Sequence, residues 1–155
     1  MDKGSLFVLT GASGVGKGTV RKRLMERVSI RYSISMTTRL PRRGEQHGVD
    51  YWFVEPEDFA TMASSGGFLE WAQYVDDRYG TPAAPVKKAL ARGEDVMLEI
   101  EAQGALQVVE RVPEAVLIFL LPPSLSELRR RLLFRDTDSP GKIRKRLEWA
   151  EQELK

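Results

Sequence analysis

A glycine-rich stretch, Gly11-Ala12-Ser13-Gly14-Val15-Gly16-Lys17-Gly18-Thr19, follows directly on the apolar run Leu6-Phe7-Val8-Leu9. A Gly-x-x-x-x-Gly-Lys loop between a buried strand and a helix aims backbone N–H groups at bound phosphates. The positive helix N-terminus and the lysine charge add to that attraction. Residues 11–19 are therefore expected to hold the phosphates of a nucleotide. Apart from the motif, Val20, Leu24, Met25 and Val28 recur on one face at helical spacing, so a helix is expected to open near Gly16. One position departs from the general pattern. The Ser/Thr expected directly after the lysine, whose hydroxyl would hold Mg²⁺, is Gly18, and the hydroxyl comes one residue later at Thr19. Mg²⁺ keeps several waters and binds largely through substrate phosphates, so the missing ligand does not remove it from the chemistry. The loop indicates a nucleotide and leaves the reaction open.

The elements that must position this loop follow from length and pattern. A chain of 155 residues accommodates one compact α/β core with room for an excursion, but not two full domains. Lys+Arg is 24 against 22 for Asp+Glu, which implies local cationic sites and no nucleic-acid-coating surface. With no cysteine, disulfides, thiol catalysis and zinc–cysteine sites are excluded. Met1-Asp2-Lys3-Gly4 runs straight into the first apolar segment, and no apolar stretch reaches membrane-spanning length, so a cytoplasmic protein without a signal peptide or membrane partner is expected. Leu6–Thr10, Val96–Ile100 and Val116–Leu121 read as parallel strands covered on both faces. Helices are expected over Val86–Arg92, ending at Gly93, and over Gln103–Arg111, stopping before Pro113. Between Ser33 and Thr81 aromatics crowd in, punctuated by Pro41, Gly44, Gly48 and Gly66-Gly67. That texture predicts a small inserted lobe of short strands with one helix opening near Pro56. Ser124-Leu-Ser-Glu127 is a capping box opening a further helix with Arg129, Arg130 and Arg131. Asp136-Thr137-Asp138 breaks that helix, and Ser139-Pro140 starts a last one with Ile143, Leu147, Ala150 and Leu154 on one side.

Within the inserted lobe stand Ser35-Met-Thr-Thr-Arg39-Leu-Pro-Arg42, Gly48-Val-Asp-Tyr51, Phe68-Leu-Glu70-Trp71 and Tyr79-Gly-Thr81-Pro82. With the Gly-Lys-Gly-Thr loop and Glu99-Ile-Glu101-Ala-Gln-Gly104, in this order and over nearly the whole chain, they resemble guanylate kinases. The resemblance implies a P-loop NTPase-type α/β fold: a parallel sheet with helices on both faces, an inserted GMP-binding lobe and a helical lid. The core would be 1–32 and 84–123, the lobe 33–83, and the lid with its following helix 124–155. The implied reaction is ATP-dependent phosphorylation of GMP, and of dGMP, with Mg²⁺. Lys17, Arg39, Arg131, Arg135 and Arg146 would form the catalytic set. ATP would lie on Gly11, Ala12, Ser13, Gly14, Val15, Gly16, Lys17, Gly18 and Thr19, with Thr19 and Glu99 orienting the metal through water. GMP would lie on Ser35, Arg39, Arg42, Tyr51, Glu70, Tyr79, Thr81 and Glu101.

The residue chemistry supports that division. A phosphate monoester carries about −1.5 to −2 charge and matches the donor fork of arginine, which suits Arg39 and Arg42 with the Tyr51 and Tyr79 hydroxyls. Guanine offers N–H donors to carboxylates such as Glu70 and Glu101, while Ser35 and Thr81 hydroxyls can donate to its O6 or N7 acceptors. The alternatives for single residues are bland: Arg39, Arg42 and Arg43 as a solvated loop, Tyr51 and Tyr79 as core aromatics, His47 as a loop residue. Three departures stand out. Glu101 occupies a position where the family more often has aspartate. Phe134-Arg135-Asp136 replaces the family's Gly-Arg-Gly, predicting a stiffer lid with slower closure or weaker ATP binding. The family also continues with a further core strand, an Asn-Asp loop near the adenine and a final helix. The expectation is therefore a fragment, or a partner covering the Val116–Leu121 edge. A catalytically inactive scaffold module binding a phosphorylated partner is the rival reading, and an intact Lys17 loop argues against it. A ribose-bisphosphate kinase is a second rival, disfavoured by a base-reading set that a sugar phosphate would not need.

Overall fold

A computed structural model describes residues 2–134 and 139–154. Strand β1 (Leu6–Gly11) lies inside a parallel sheet of order β2-β7-β1-β8, where β2 is Arg31–Tyr32, β7 Val96–Glu99 and β8 Val116–Leu120. Apolar β1 and β7 are almost wholly buried, as expected for strands covered on both faces. Helices α1 (Lys17–Met25), α3 (Ala83–Ala91) and α4 (Ala102–Arg111) flank the sheet. The main core joins Leu6, Val8, Val96 and Leu98 to Val86 and Leu90 of α3 and to Ala105 and Val108 of α4.

Residues between β2 and α3 build the second sheet, of order β4-β3-β6-β5, from β3 (Met36–Thr37), β4 (Trp52–Phe53), β5 (Phe68–Tyr74) and β6 (Asp77–Pro82). Helix α2 (Pro56–Ser64) opens on a proline with Glu57 and Asp58 in its first turn, a favourable placement of negative charge. Its Phe59 is fully buried against Phe68, ring centroids 4.5 Å apart. The two sheets are tied through α4. Gln107 donates to Trp71 O at 2.8 Å and accepts from Trp71 N at 3.3 Å, and Arg111 donates to Leu69 O at 2.6 Å.

Helix α5 (Leu125–Leu133) is capped by Ser124, whose hydroxyl accepts from Glu127 N at 3.1 Å. Helix α6 (Pro140–Glu153) is capped by Ser139, which accepts from Lys142 N at 3.4 Å. Leu128, Leu132 and Ala150 from these helices pack on Ala12 and Val15, so the glycine-rich loop rests on a core of its own. Leu147 and Leu154 join that cluster as expected. Ile143 is half-buried outside it, and Arg146 is the buried side chain in mid-helix.

Two expectations are corrected. The strand expected over Val116–Leu121 is present, but it is not covered on both faces. It forms the sheet edge beside β1, and Val116, Leu117, Ile118 and Phe119 are each 37–45% exposed. The expected apolar face of α1 is also largely uncovered. The helix ends at Met25; Met25 and Val28 are exposed, whereas Val20 and Leu24 are half-buried. The predicted break at Asp136-Thr137-Asp138 lies outside the described residues.

Candidate active site

The glycine-rich loop joins β1 to α1. Gly16, the N-cap of α1, has φ +105°, a left-handed conformation that turns the chain into the helix and that side chains rarely tolerate. The first-turn amides of α1 have no partners within the helix, and no acidic residue occupies that turn to neutralise them. Lys17 is buried, yet its ammonium lies on the loop's concave side. It donates to Gly11 O at 2.5 Å and Ala12 O at 3.4 Å and pairs with Glu101 Oε2 at 3.3 Å.

From this loop a single cavity of about 400 Å³ runs to the second sheet. Its near wall is Ser13, Gly14 and Gly16 to Thr19; its far wall includes Ser35, Arg39, Arg42, Tyr51, Glu70 and Tyr79; Glu99, Glu101 and Arg146 lie along its length. Most of the predicted residues thus share one space. Gly11, Ala12 and Val15 support it from behind with their carbonyls, the last accepting from Arg131 Nη1 at 3.0 Å. Arg146 is buried, with Nη1 3.5 Å from the Ser13 hydroxyl. Arg135 lies outside the described residues.

Arg39 is held on several sides, although its buried Nε has no hydrogen-bond partner among the described residues. Its backbone N–H donates to Thr37 Oγ1 at 3.1 Å, and its guanidinium lies over the rings of Tyr51 and Phe53, 5.3 and 5.8 Å from their centroids. Nη1 and Nη2 each donate to Glu45 at 2.9 Å, a bidentate pair. Burial opposes the charge on Arg39, but its bonds to Glu45 and Tyr79 outweigh that and raise its pKa. Burial also opposes ionisation of Glu45. The bonds from Arg39 and from Arg42 N, the latter 2.7 Å, prevail and lower its pKa. Burial pushes the Tyr51 and Tyr79 hydroxyls upward, so both remain protonated donors at neutral pH. Glu45 had no part in the sequence reading. A carboxylate six residues from an arginine, in the same Gly44-bearing loop, was the available signal.

Glu70 is 3% exposed. Desolvation pushes its pKa to about 7, against the opposing bonds from Thr81. Thr81 Oγ1 donates to Glu70 Oε1 at 2.6 Å and is fully buried, so its proton is spent on the carboxylate and not offered to a base. The other oxygen, Oε2, lies so near Gly104 that a Cβ there would be 2.3 Å away. Gly104 is a second residue whose place against this carboxylate no local sequence pattern signals. Nearby, Glu99 Oε2 accepts from Arg21 Nε at 2.6 Å, and Arg21 stacks on Tyr32 with 4.1 Å to the ring centroid.

A parallel sheet whose central strand feeds a Gly-Lys loop into a helix N-terminus defines a P-loop α/β protein that binds nucleotide phosphates. Within that class the chain belongs to the guanylate kinase family, whose model matches residues 3–155. It is 66% identical over 153 residues to a guanylate kinase of Thermus thermophilus, spanning 99% of this chain and 70% of that protein. Identity is 54% over 153 residues to a guanylate kinase of Deinococcus radiodurans, spanning 98% of this chain and 64% of that protein. The crystal structure of guanylate kinase from Anaplasma phagocytophilum superposes with a TM-score of 0.81 at 34% identity, covering 99% of this chain and 71% of that one.

Proposed function

We propose that this chain transfers the γ-phosphoryl group of ATP to the phosphate of GMP, and of dGMP, in the cytoplasm. The bond from the γ-phosphorus to its bridging oxygen breaks, an oxygen of the acceptor phosphate bonds to that phosphorus, and ADP leaves. The observation that carries this reading is the single cavity joining the Lys17 loop to the Arg39 and Glu70 walls.

The acceptor oxygen is already largely ionised near neutral pH, so no general base is needed. The task is to bring two polyanions into line and stabilise the charge on the transferring group. Lys17 and the loop amides hold the ATP phosphates. Arg39, preorganised by Glu45, grips the GMP phosphate with Arg42, Tyr51 and Tyr79. Glu70 accepts from the guanine donor edge, Ser35 donates to the acceptor edge, and Glu101 adds a second carboxylate. Arg146, which lines the cavity, and Arg131, held beside the loop by Glu127 and Val15 O, supply positive charge for the donor phosphates, with Arg135 in the same set. On this reading residues 33–83 are the acceptor lobe and 124–155 the lid and its following helix.

The described residues contain no group of three or more carboxylates or imidazoles that could hold a metal. Thr19 and Glu99 offer two hard oxygen donors beside the loop. That sparse set fits Mg²⁺ carried on phosphates and water, with these two residues orienting it. When bound, the ion supplies charge neutralisation to the phosphates. Glu99 is itself held by Arg21, which fixes the carboxylate's direction.

ADP release from ATP·Mg²⁺ with GMP, AMP, CMP or UMP tests the proposal. Turnover is expected with GMP alone and abolished in Lys17→Ala. A folded chain that binds ATP, turns over no acceptor and captures a phosphorylated peptide would favour the scaffold reading.

A further inference from the structure

Glu101 is claimed by two sites at once. It occupies the N-cap position of α4 with extended backbone angles, φ −75° and ψ 160°, yet its side chain makes no capping bond. It points instead to Lys17, 3.3 Å from the ammonium, in a pair whose members are 9% and 29% exposed. The segment is anchored from behind, since Ile100 N donates to Leu9 O at 3.1 Å in β1 and Glu99 is tied to Arg21. Glu101 therefore stands at a fixed place between the phosphate loop and Glu70, lining the same cavity as both.

We propose that Glu101 couples the two substrates by exchanging partners: it holds Lys17 while the donor site is empty and is released to the guanine when ATP takes the lysine. This rests on the ATP:GMP kinase reading. The physical reason is competition for one ammonium. ATP phosphates carry several negative charges and draw Lys17 away from a single carboxylate. Glu101, left near those phosphates without its cation, gains from the N–H donors of guanine. In the absence of ATP, GMP must compete with Lys17 for the same carboxylate. The consequence is reciprocal: each substrate strengthens the binding of the other by the same factor. For a half-buried pair at this distance that factor is about three- to tenfold.

Titration calorimetry on the intact chain, with GMP and a non-hydrolysable ATP analogue separately and together, decides the matter. In Glu101→Gln, the analogue alone is expected to bind about three- to tenfold tighter than to the unaltered chain, because Lys17 is released from its anion. Its effect on GMP affinity should shrink by the same factor. Loss of packing would weaken donor binding, so tightening is a readout that a merely structural role does not give. Glu101→Asp, which draws the carboxylate back from Lys17 by one methylene, provides a second variant with the same expected direction. Unchanged or weaker analogue binding in both variants, or undiminished coupling, would overturn the proposal. A chain that binds the analogue but no GMP would instead defeat the kinase reading, and the coupling with it.

Discussion

Replacing Gly104 by alanine should separate recognition of the base from everything else in the site. An added Cβ would lie 2.3 Å from Glu70 Oε2 and 3.0 Å from its carboxyl carbon. Helix α4 cannot retreat, because Ala105 and Val108 are buried in the core and Gln107 and Arg111 bind β5. The carboxylate must therefore move by roughly 1 Å to reach ordinary contact distance. Its Oε1 is held at 2.6 Å by Thr81, so the shift falls on Oε2, the oxygen that meets guanine on the proposed reading. Losing one charge-assisted hydrogen bond costs about 1.5–3 kcal/mol, roughly a 10- to 150-fold weaker GMP complex. Helix propensity acts the other way, since alanine in a helix is favoured over glycine by about 1 kcal/mol. A stable, donor-competent protein with a damaged acceptor site is the expected result. Calorimetric titration with GMP and with an ATP analogue, beside thermal unfolding, measures all three quantities. GMP affinity within twofold of the unaltered chain would refute the reasoning about Glu70 and its neighbour.

Acidification should weaken GMP binding as Glu70 takes up its proton below about pH 7, and Glu70→Gln should remove that part of the dependence, leaving the part set by the GMP phosphate, whose second pKa is about 6. The same carboxyl has a stability signature. Between its ordinary value of 4.5 and about 7 the folded chain holds a proton that the unfolded chain has lost, so stability falls as pH rises through that window and levels off above it. The total is about 3 kcal/mol, and unfolding titrations at several pH values against Glu70→Gln would measure it. Glu45→Gln leaves Arg39 buried without its bidentate anion. KM for GMP should rise about tenfold and denaturant unfolding should register a loss of about 2 kcal/mol, with donor affinity unchanged. Asp76→Asn removes an exposed ion pair with Lys145 and should change stability by less than about 1 kcal/mol, a contrast to the Glu45 result measured the same way.

The parts of this architecture that lie close together in sequence could be read from it. Ser124 and Ser139-Pro140 mark helix starts because capping and proline chemistry act within one turn. The Gly11–Thr19 loop was legible because close approach to phosphate demands small residues and a lysine at fixed spacing. Strand β2 was not, since two residues, Arg31 and Tyr32, become a strand only by pairing with Val96 and Met97. Periodicity marked Val20, Leu24, Met25 and Val28 as able to be buried, but it cannot say whether another element arrives to cover them. The same holds for β8. In the site, residue types singled out Arg39, Arg42, Glu70 and Glu101, which line one cavity. Their supports, Glu45 on Arg39, Thr81 behind Glu70 and Gly104 beside it, are relations across space that no local pattern encodes.

The uncovered edge at Val116–Leu120 also bears on how the chain behaves in concentrated solution. Among the described residues no strand lies beyond β8, so its outer rim presents backbone donors and acceptors beside a Val-Leu-Ile-Phe-Leu sequence. An apolar edge without lysine, proline or a bulge is a template for adding another extended chain. Self-association through this rim should therefore rise with concentration, and Ile118→Lys should raise the concentration at which turbidity appears, at a residue that does not line the nucleotide cavity.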